Sequence, residues 1–466
     1  MEKIKSLEDS QISNINRTEE AIISGMKNMT DMANMIYGSC CSGGVDPCGL
    51  NFDEKKEYNA TVNEEKHLML PPEILKDLGI TSGASLRIVN NGNKLEIYPN
   101  IHSLSKLYIE LTSRCNLACL TCIRNTWNEP MGNMDIEVFD ALIEQLKDFD
   151  NLKTVMLGGF GEPTFHEDIL YMIGRLKSLG LNVEMTSNGT MLDDAMLNGL
   201  IEKGLDTLWV SFDGTSAENF EDIREGANFE SLVQTLLRLN ELNIESVNHR
   251  VKIGIAFVVM KRNIRELKSL SKLARRVGAT KVSVSNVIPY SEDMTQQMIC
   301  NNAVNDIYLS LPTVSLPLMD KNDTTMETLS GLFMDNNNIS IMHDKISKPT
   351  NSCRFIKERC SFIRWDGVVS PCMGLLHSYK TYFGEGNIER DVRHYPLGNI
   401  KEKSMKEIWD SQEYHDFREK VDLFDFSPCF HCGPCDLAEK NEEDCFGSTF
   451  PTCGGCLWAQ GVIQCP

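Results

Sequence analysis

The chain has 466 residues, 41% of them hydrophobic, and a formal net charge of −20. That length supplies core for two or three domains, and no apolar run reaches the roughly 18 residues of a membrane span. The acidic balance argues against general nucleic-acid binding, which needs clustered cations. The opening "MEKIKSLEDSQISNINRTEE" lacks the apolar stretch of a secretory signal, so a cytoplasmic protein is expected. Seventeen cysteines against nine histidines are then the anomaly. A reducing compartment disfavours structural disulfides, and thiolate-rich ligand sets suit zinc or iron–sulfur clusters.

Ile15, Ile22, Met26, Met29, Ala33 and Ile36 recur near helical spacing, which predicts an amphipathic helix within 12–37. "YGSCCSGGVDPCG" stops it and carries Cys40, Cys41 and Cys48. Residues 1–60 therefore read as a helix and a Gly/Cys-rich arm. "LMLPPEILKDLGITSGASLRIVNNGNKLEIYPN" follows, with short alternating strands around "NNG". This stretch, set within 61–102, resembles the swapped-hairpin domain of the AbrB family of transcriptional regulators, which implies dimerisation. Its acids Glu73, Asp77 and Glu96 match the bases Lys76, Arg87 and Lys94, so it reads as a docking or dimerising module, giving a possible homodimer, and not as a DNA binder.

Over 103–310 strand-like runs ("KLYIELT", "TVMLGG", "NVEMTSNG", "LDTLWVSFDG", "VKIGIAFVVM", "KVSVSNVIP") alternate with helical ones such as "FESLVQTLLRLNEL". Repeated βα units imply a parallel sheet. About six units fit, fewer than a closed barrel needs, so the expected α/β core is a partial (βα)6 TIM barrel. A polar linker over 311–350 leads to a cysteine-rich region, 351–466.

Cys115, Cys119 and Cys122 directly follow the first strand, "LYIELT", where barrel active sites form. Three thiolates are one short of a closed tetrahedral zinc set, and no His or Cys lies within the next forty residues. On a cubane cluster, three ligands leave one iron free. The C-x3-C-x2-C spacing resembles the signature of the radical S-adenosylmethionine (SAM) superfamily. That resemblance implies further residues around SAM. "GFGEP" supplies Gly159, Gly161 and Glu162, with Phe160 in place of a usual glycine; "TSNG" supplies Ser187 and Asn188; "VSFDG" and "IREG" supply Ser211 and Arg224. It also implies the chemistry: SAM chelates the open iron and is cleaved to a 5'-deoxyadenosyl radical, which takes hydrogen from an unactivated carbon. The electron comes from a low-potential donor such as ferredoxin or flavodoxin.

Beyond 350 come Cys353, Cys360 and Cys372, with Gly367 five residues before the last, then Cys429, Cys432, Cys435, Cys445, Cys453, Cys456 and Cys465. The C-x2-C pairs at 429/432 and 453/456 would also suit zinc ribbons. "WDGVVSPC" and the paired cysteines resemble the SPASM extension of radical SAM enzymes, which implies two auxiliary [4Fe–4S] clusters and three clusters in all. By that resemblance Cys353, Cys360, Cys372 and Cys456 hold one, and Cys429, Cys432, Cys453 and Cys465 the other. Cys435 and Cys445 are surplus to the pattern. "LYIELTSRCNLACLTCIRNTWNEPMGNMD" and "CGGCLWAQGVIQCP" are similar to the maturases that accompany tungsten-cofactor oxidoreductases, which implies a peptide, protein or tungstopterin substrate. Enzymes that crosslink peptides through thioether or carbon–carbon bonds are the neighbouring alternative, and a non-catalytic multi-cluster electron carrier is a further one. The helix and Gly/Cys arm at 1–60 are organised like a peptide substrate of such enzymes, and read either as that or as a metal-binding arm.

Overall fold

The computed structural model describes residues 58–77, 86–90, 95–299, 313–316, 338–341, 344–345, 353–383, 388–431 and 435–466. The expected helix in 12–37, Cys40, Cys41, Cys48 and Cys432 lie outside them. Two units separate by their contacts, residues 1–74 and 75–466. In the first, Thr61–Val62 pairs antiparallel with Leu68–Met69. In the second, Leu86–Asn90 and Leu95–Pro99 pair antiparallel, with Leu86 opposite Pro99; these are the two strands expected on either side of "NNG".

The core of the second unit is a run of six parallel strands in sequence order. They are β1 (Lys106–Ile109), β2 (Thr154–Leu157), β3 (Asn182–Ser187), β4 (Thr207–Phe212), β5 (Lys252–Val259) and β6 (Ala279–Asn286). Lys106 stands opposite Thr154 and Ile109 opposite Leu157, and the same parallel register logic continues to β6. Helices return the chain between strands because their apolar residues fall on one face. α1 (Ile136–Leu146) buries Phe139, Leu142, Ile143 and Leu146, and α2 (Ile169–Ser178) buries Ile169, Met172, Ile173 and Leu176. Each such side chain contributes about 1.5–3 kcal/mol on leaving water. α3 (Asp194–Lys203) begins where the Asp193 carboxylate accepts from Met196 N–H and stops at Gly204, whose φ of 81° is left-handed.

The region beyond 350 is joined to this sheet. β7 (Cys360–Ile363) pairs parallel to β1, with Cys360 opposite Lys106. β8 (Val368–Ser370) and β9 (Gly398–Asn399) continue antiparallel, giving nine strands in one sheet. Trp409 Nε1–H donates to the His102 carbonyl at 2.6 Å, and Met405 N–H to Gln145 Oε1 at 2.7 Å. The stretch expected as a linker holds short strands, Thr313–Leu316, Asn338–Ile341 and Asp344–Lys345, in a small sheet.

Residues 462–466 cross the open side of the six-stranded run. Asn286 at the end of β6 donates to the Val462 carbonyl at 2.9 Å, and Gln464 N–H donates to Ser285 Oγ at 3.0 Å. At the other side, Tyr108 of β1 donates its hydroxyl to a Pro466 oxygen at 3.0 Å.

Candidate active site

The loop after β1 carries the three cysteines, and its shape is set by backbone hydrogen bonds. Leu120 N–H donates to the Ile223 carbonyl at 2.8 Å and Cys122 N–H to the Cys119 carbonyl at 3.1 Å. Asn125 Nδ2 holds the Cys119 carbonyl at 3.2 Å and the Tyr290 hydroxyl at 3.1 Å. Cys119 is buried, Cys115 and Cys122 half-buried.

Donors surround the sulfurs. Arg124 Nε lies 3.2 Å from Cys122 Sγ, Asn188 Nδ2 3.6 Å and Leu117 N–H 3.4 Å from Cys115 Sγ, and Arg224 Nη1 3.9 Å from Cys119 Sγ. Arg224 also pairs with buried Asp213 at 3.0 Å. Burial disfavours the guanidinium charge, but Asp213 and then Cys119 outweigh it and leave the Arg224 pKa raised. Burial pushes the Cys119 thiol up, against the pull of Arg224. An anionic thiolate cluster would complete this set of cations. Arg124 and Asp213 were not foreseen; the cation two positions after the last cysteine was the available signal.

The loop after β2 lies against this one. A Cβ on Gly161 would fall 2.0 Å from the Thr112 carbonyl oxygen, so only glycine permits the approach. Glu162, 2% exposed, points inward. Its Oε1 accepts from Thr164 N–H (3.1 Å), Thr164 Oγ1 (2.6 Å) and Ser187 Oγ (2.9 Å), and its Oε2 from Asn188 N–H (2.6 Å). Burial raises its pKa, and these hydrogen bonds offset only part of the rise. Glu162 therefore orients the β3 end, while Asn188 Nδ2 donates to Asn116 Oδ1 at 2.9 Å beside the cysteines.

One cavity of about 300 Å³ collects these groups: Cys115, Cys119, Cys122, Gly159, Gly161, Glu162, Ser187, Asn188, Ser211 and Arg224 all line it. Ten positions taken from five separate sequence motifs thus share one wall. Its far side is formed by β5, β6 and the 462–466 segment, which brings Cys465 into the same cavity.

A second cavity is lined by Cys353, Cys372, Cys453 and Cys456. Cys453, which the resemblance groups with Cys429, Cys432 and Cys465, lines this cavity with Cys353, Cys372 and Cys456, while fully buried Cys360 sits near Cys353 and the Tyr108 phenol. Arg390, 2% exposed, supplies positive charge close to Cys429, Cys456 and Cys453, and donates to the Ala438 carbonyl at 2.6 Å. Four thiols beside a buried guanidinium fit an anionic iron–sulfur centre. Cys429 is buried with its sulfur 2.9 Å from Ser427 Oγ, and Cys435 and Cys445 are exposed.

Known proteins place these observations. Residues 109–274 match the model of the radical SAM superfamily, and residues 353–436 match that of an iron–sulfur cluster-binding domain, SPASM. A tungsten-containing aldehyde ferredoxin oxidoreductase cofactor-modifying protein from Pyrococcus furiosus is 32% identical over 77% of this chain and 96% of its own. The chain belongs to the radical SAM superfamily. It is an enzyme of the SPASM-bearing maturase group in that superfamily, and membership brings SAM and a [4Fe–4S] cluster as cofactors. An AdoMet-dependent heme synthase from Nitratidesulfovibrio vulgaris is 24% identical over 74% of this chain and 85% of its own. Streptococcus suis SuiB, solved bound to precursor peptide SuiA, aligns over 71% of this chain and 70% of its own with 18% identity and a TM-score of 0.45. Among the described residues, no helix is long and apolar enough to cross a membrane.

Proposed function

We propose that this radical SAM enzyme matures a tungsten-containing oxidoreductase, acting on its tungstopterin cofactor or on a peptide or protein substrate. The supporting observation is the single cavity that gathers the three loop cysteines with the "GFGEP", "TSNG", "VSFDG" and "IREG" positions. In this reading Cys115, Cys119 and Cys122 hold the cluster that reacts with SAM, and residues 103–310 form the catalytic unit. The bound group supplies reductive cleavage of SAM and a 5'-deoxyadenosyl radical. The chain's own residues do the rest. Gly159 and Gly161 let the loop backbone approach the SAM amino group, Glu162 fixes that loop against Ser187 and Asn188, and Ser211 and Arg224 receive the SAM carboxylate. Met156, Ala256 and Val258 on the cavity wall exclude water from the reacting carbon.

The region 351–466 holds two auxiliary clusters in this reading, three in all. Cys353, Cys372, Cys453 and Cys456 are the best-gathered ligand set, and Cys360, Cys429, Cys432 and Cys465 the remaining candidates. A ferredoxin or flavodoxin supplies electrons, the hairpin module within 61–102 pairs two copies, and the enzyme works in the cytoplasm. Anaerobic reconstitution tests this. About twelve irons should bind per chain, at four per cubane. The triple variant C115A/C119A/C122A should lose about four of them and all 5'-deoxyadenosine formation. Unchanged cleavage in that variant would refute the assignment, and zinc in place of the remaining iron would refute the auxiliary clusters.

A further inference from the structure

One buried polar network stands outside the cavity and its chemistry. Glu110 is the first residue past β1 and is 1% exposed. Its Oε1 accepts from Phe160 N–H at 3.0 Å, and its Oε2 lies 2.8 Å from His377 Nε2. The other ring nitrogen of His377 lies 2.8 Å from Glu129 Oε2. His377, also 1% exposed, thus has a carboxylate oxygen at each nitrogen. An imidazole so placed donates from both nitrogens and carries a positive charge. Burial works against that charge, but Glu110, by charge and hydrogen bond, and then Glu129 outweigh it and raise the His377 pKa. Trp127 stacks on the ring at 4.1 Å, and Phe160 meets it edge-on at 5.9 Å.

The network touches the loop expected to bind SAM at its backbone. The Phe160 amide held by Glu110 lies between Gly159 and Gly161, both on the cavity wall. A Cβ on Gly159 would fall 2.6 Å from Glu110 Cγ, so the loop rests directly on the Glu110 side chain. His377 follows Cys372 by five residues and so belongs to the C-terminal region. Its partner Glu129 is itself held by Ser378 N–H at 3.1 Å and Arg364 at 3.3 Å, from that same region. Without His377, Glu110 would keep one amide donor for a buried carboxylate. Such a carboxylate, left short of partners, is destabilised and rearranges, which loosens the Phe160 amide.

We propose that His377 is a positioning residue for SAM: clamped between Glu110 and Glu129, it fixes the 159–162 loop and ties it to the cluster-bearing C-terminal region. This rests on the reading of that loop as a SAM contact. The test uses the full chain, reconstituted anaerobically. SAM affinity, iron content and cluster EPR are measured together with KM and kcat for SAM cleavage, followed by release of 5'-deoxyadenosine. H377F keeps an aromatic ring against Trp127 but has no donors. Its SAM affinity should fall about tenfold, ~1.4 kcal/mol, with KM rising in step while iron content and the SAM-free EPR spectra stay as in the wild type. H377Q offers a donor to Glu110 but turns a carbonyl on Glu129, so it should be weak as well. The double variant H377Q/E129Q gives that carbonyl a donor and should regain affinity to within about threefold of wild type, a residual typical of one net hydrogen bond. H377F binding SAM as tightly as wild type would overturn the proposal, as would iron loss in H377F with no recovery in the double variant. Wild-type SAM affinity unaffected by G161V would instead overturn the placement of SAM on this loop, and the proposal with it.

Discussion

Glu162→Ala removes an acceptor that four donors share, and its cost can be worked from their geometry. The hydroxyls of Thr164 and Ser187 can rotate to other partners. The backbone N–H groups of Thr164 and Asn188, at 3.1 and 2.6 Å, cannot. Leaving a buried donor unsatisfied costs about 1–3 kcal/mol, so the two amides together set a local penalty of about 2–6 kcal/mol. Glu162→Gln keeps one oxygen and turns an NH2 on one of the amides, so about half that penalty is expected. Hydrogen exchange of peptides covering 163–166 and 186–190 reads this directly. In the alanine variant, exchange at these amides should accelerate between about thirtyfold and 10⁴-fold, at tenfold per 1.4 kcal/mol, up to the limit of global opening. The glutamine variant should lose protection at only one of the two amides. Wild-type protection of both in the alanine variant would refute the argument that Glu162 holds the β3 end. Equal loss at both amides in the glutamine variant would refute the division between its two oxygens.

Two further predictions concern charge. Burial first, then Arg418 and His415, lower the His102 pKa to about 4; the His102 ring stacks on His415 at 3.6 Å and accepts from Arg418 Nε at 3.0 Å. A histidine whose folded pKa lies below its unfolded value leaves stability intact above pH ~6.5 and withdraws it as pH falls towards 4. Thermal midpoints between pH 7 and 5 should therefore decline less in H102Q than in wild type, and parallel declines would count against the burial argument. R390Q removes the buried cation beside Cys429, Cys456 and Cys453, so the nearby cluster should become harder to reduce or lose iron. Redox titration of the C115A/C119A/C122A background, with and without R390Q, leaves only the auxiliary centres to titrate; midpoints unshifted for both at full iron content would argue that Arg390 is structural only.

The barrel units were legible because each joins a short, continuous apolar run to a period-3.6 run, as "TVML" and "ILYMIGRLKS" do. The cavity wall was legible too, since its residues belong to short motifs at successive strand ends. What escaped depends on pairings distant in sequence. Glu110 meets His377 across 267 positions and Phe160 across 50, and neither side chain has a local pattern to announce it. The strand "CSFI" is too short to stand out in a cysteine-rich stretch, and its partner is β1. For Cys453 the local geometry adds what spacing alone does not carry. Cys456 N–H donates to the Cys453 carbonyl at 3.0 Å, and that tight turn brings both thiols to one cavity, where the resemblance divided them between two clusters.

The pairing of β7 with β1 bears on how the chain folds and how it can be cut. The two recognisable segments, 109–274 and 353–436, look like modules that could be exchanged separately. Their strands nevertheless share a sheet, with Phe362 opposite Tyr108 and their rings stacked at 4.3 Å. A fragment ending before 353 would present the bare edge of β1, a row of unpaired amides and carbonyls beside Leu107 and Ile109, and such an edge recruits other chains. Inheritance thus divides the protein at a seam where folding does not.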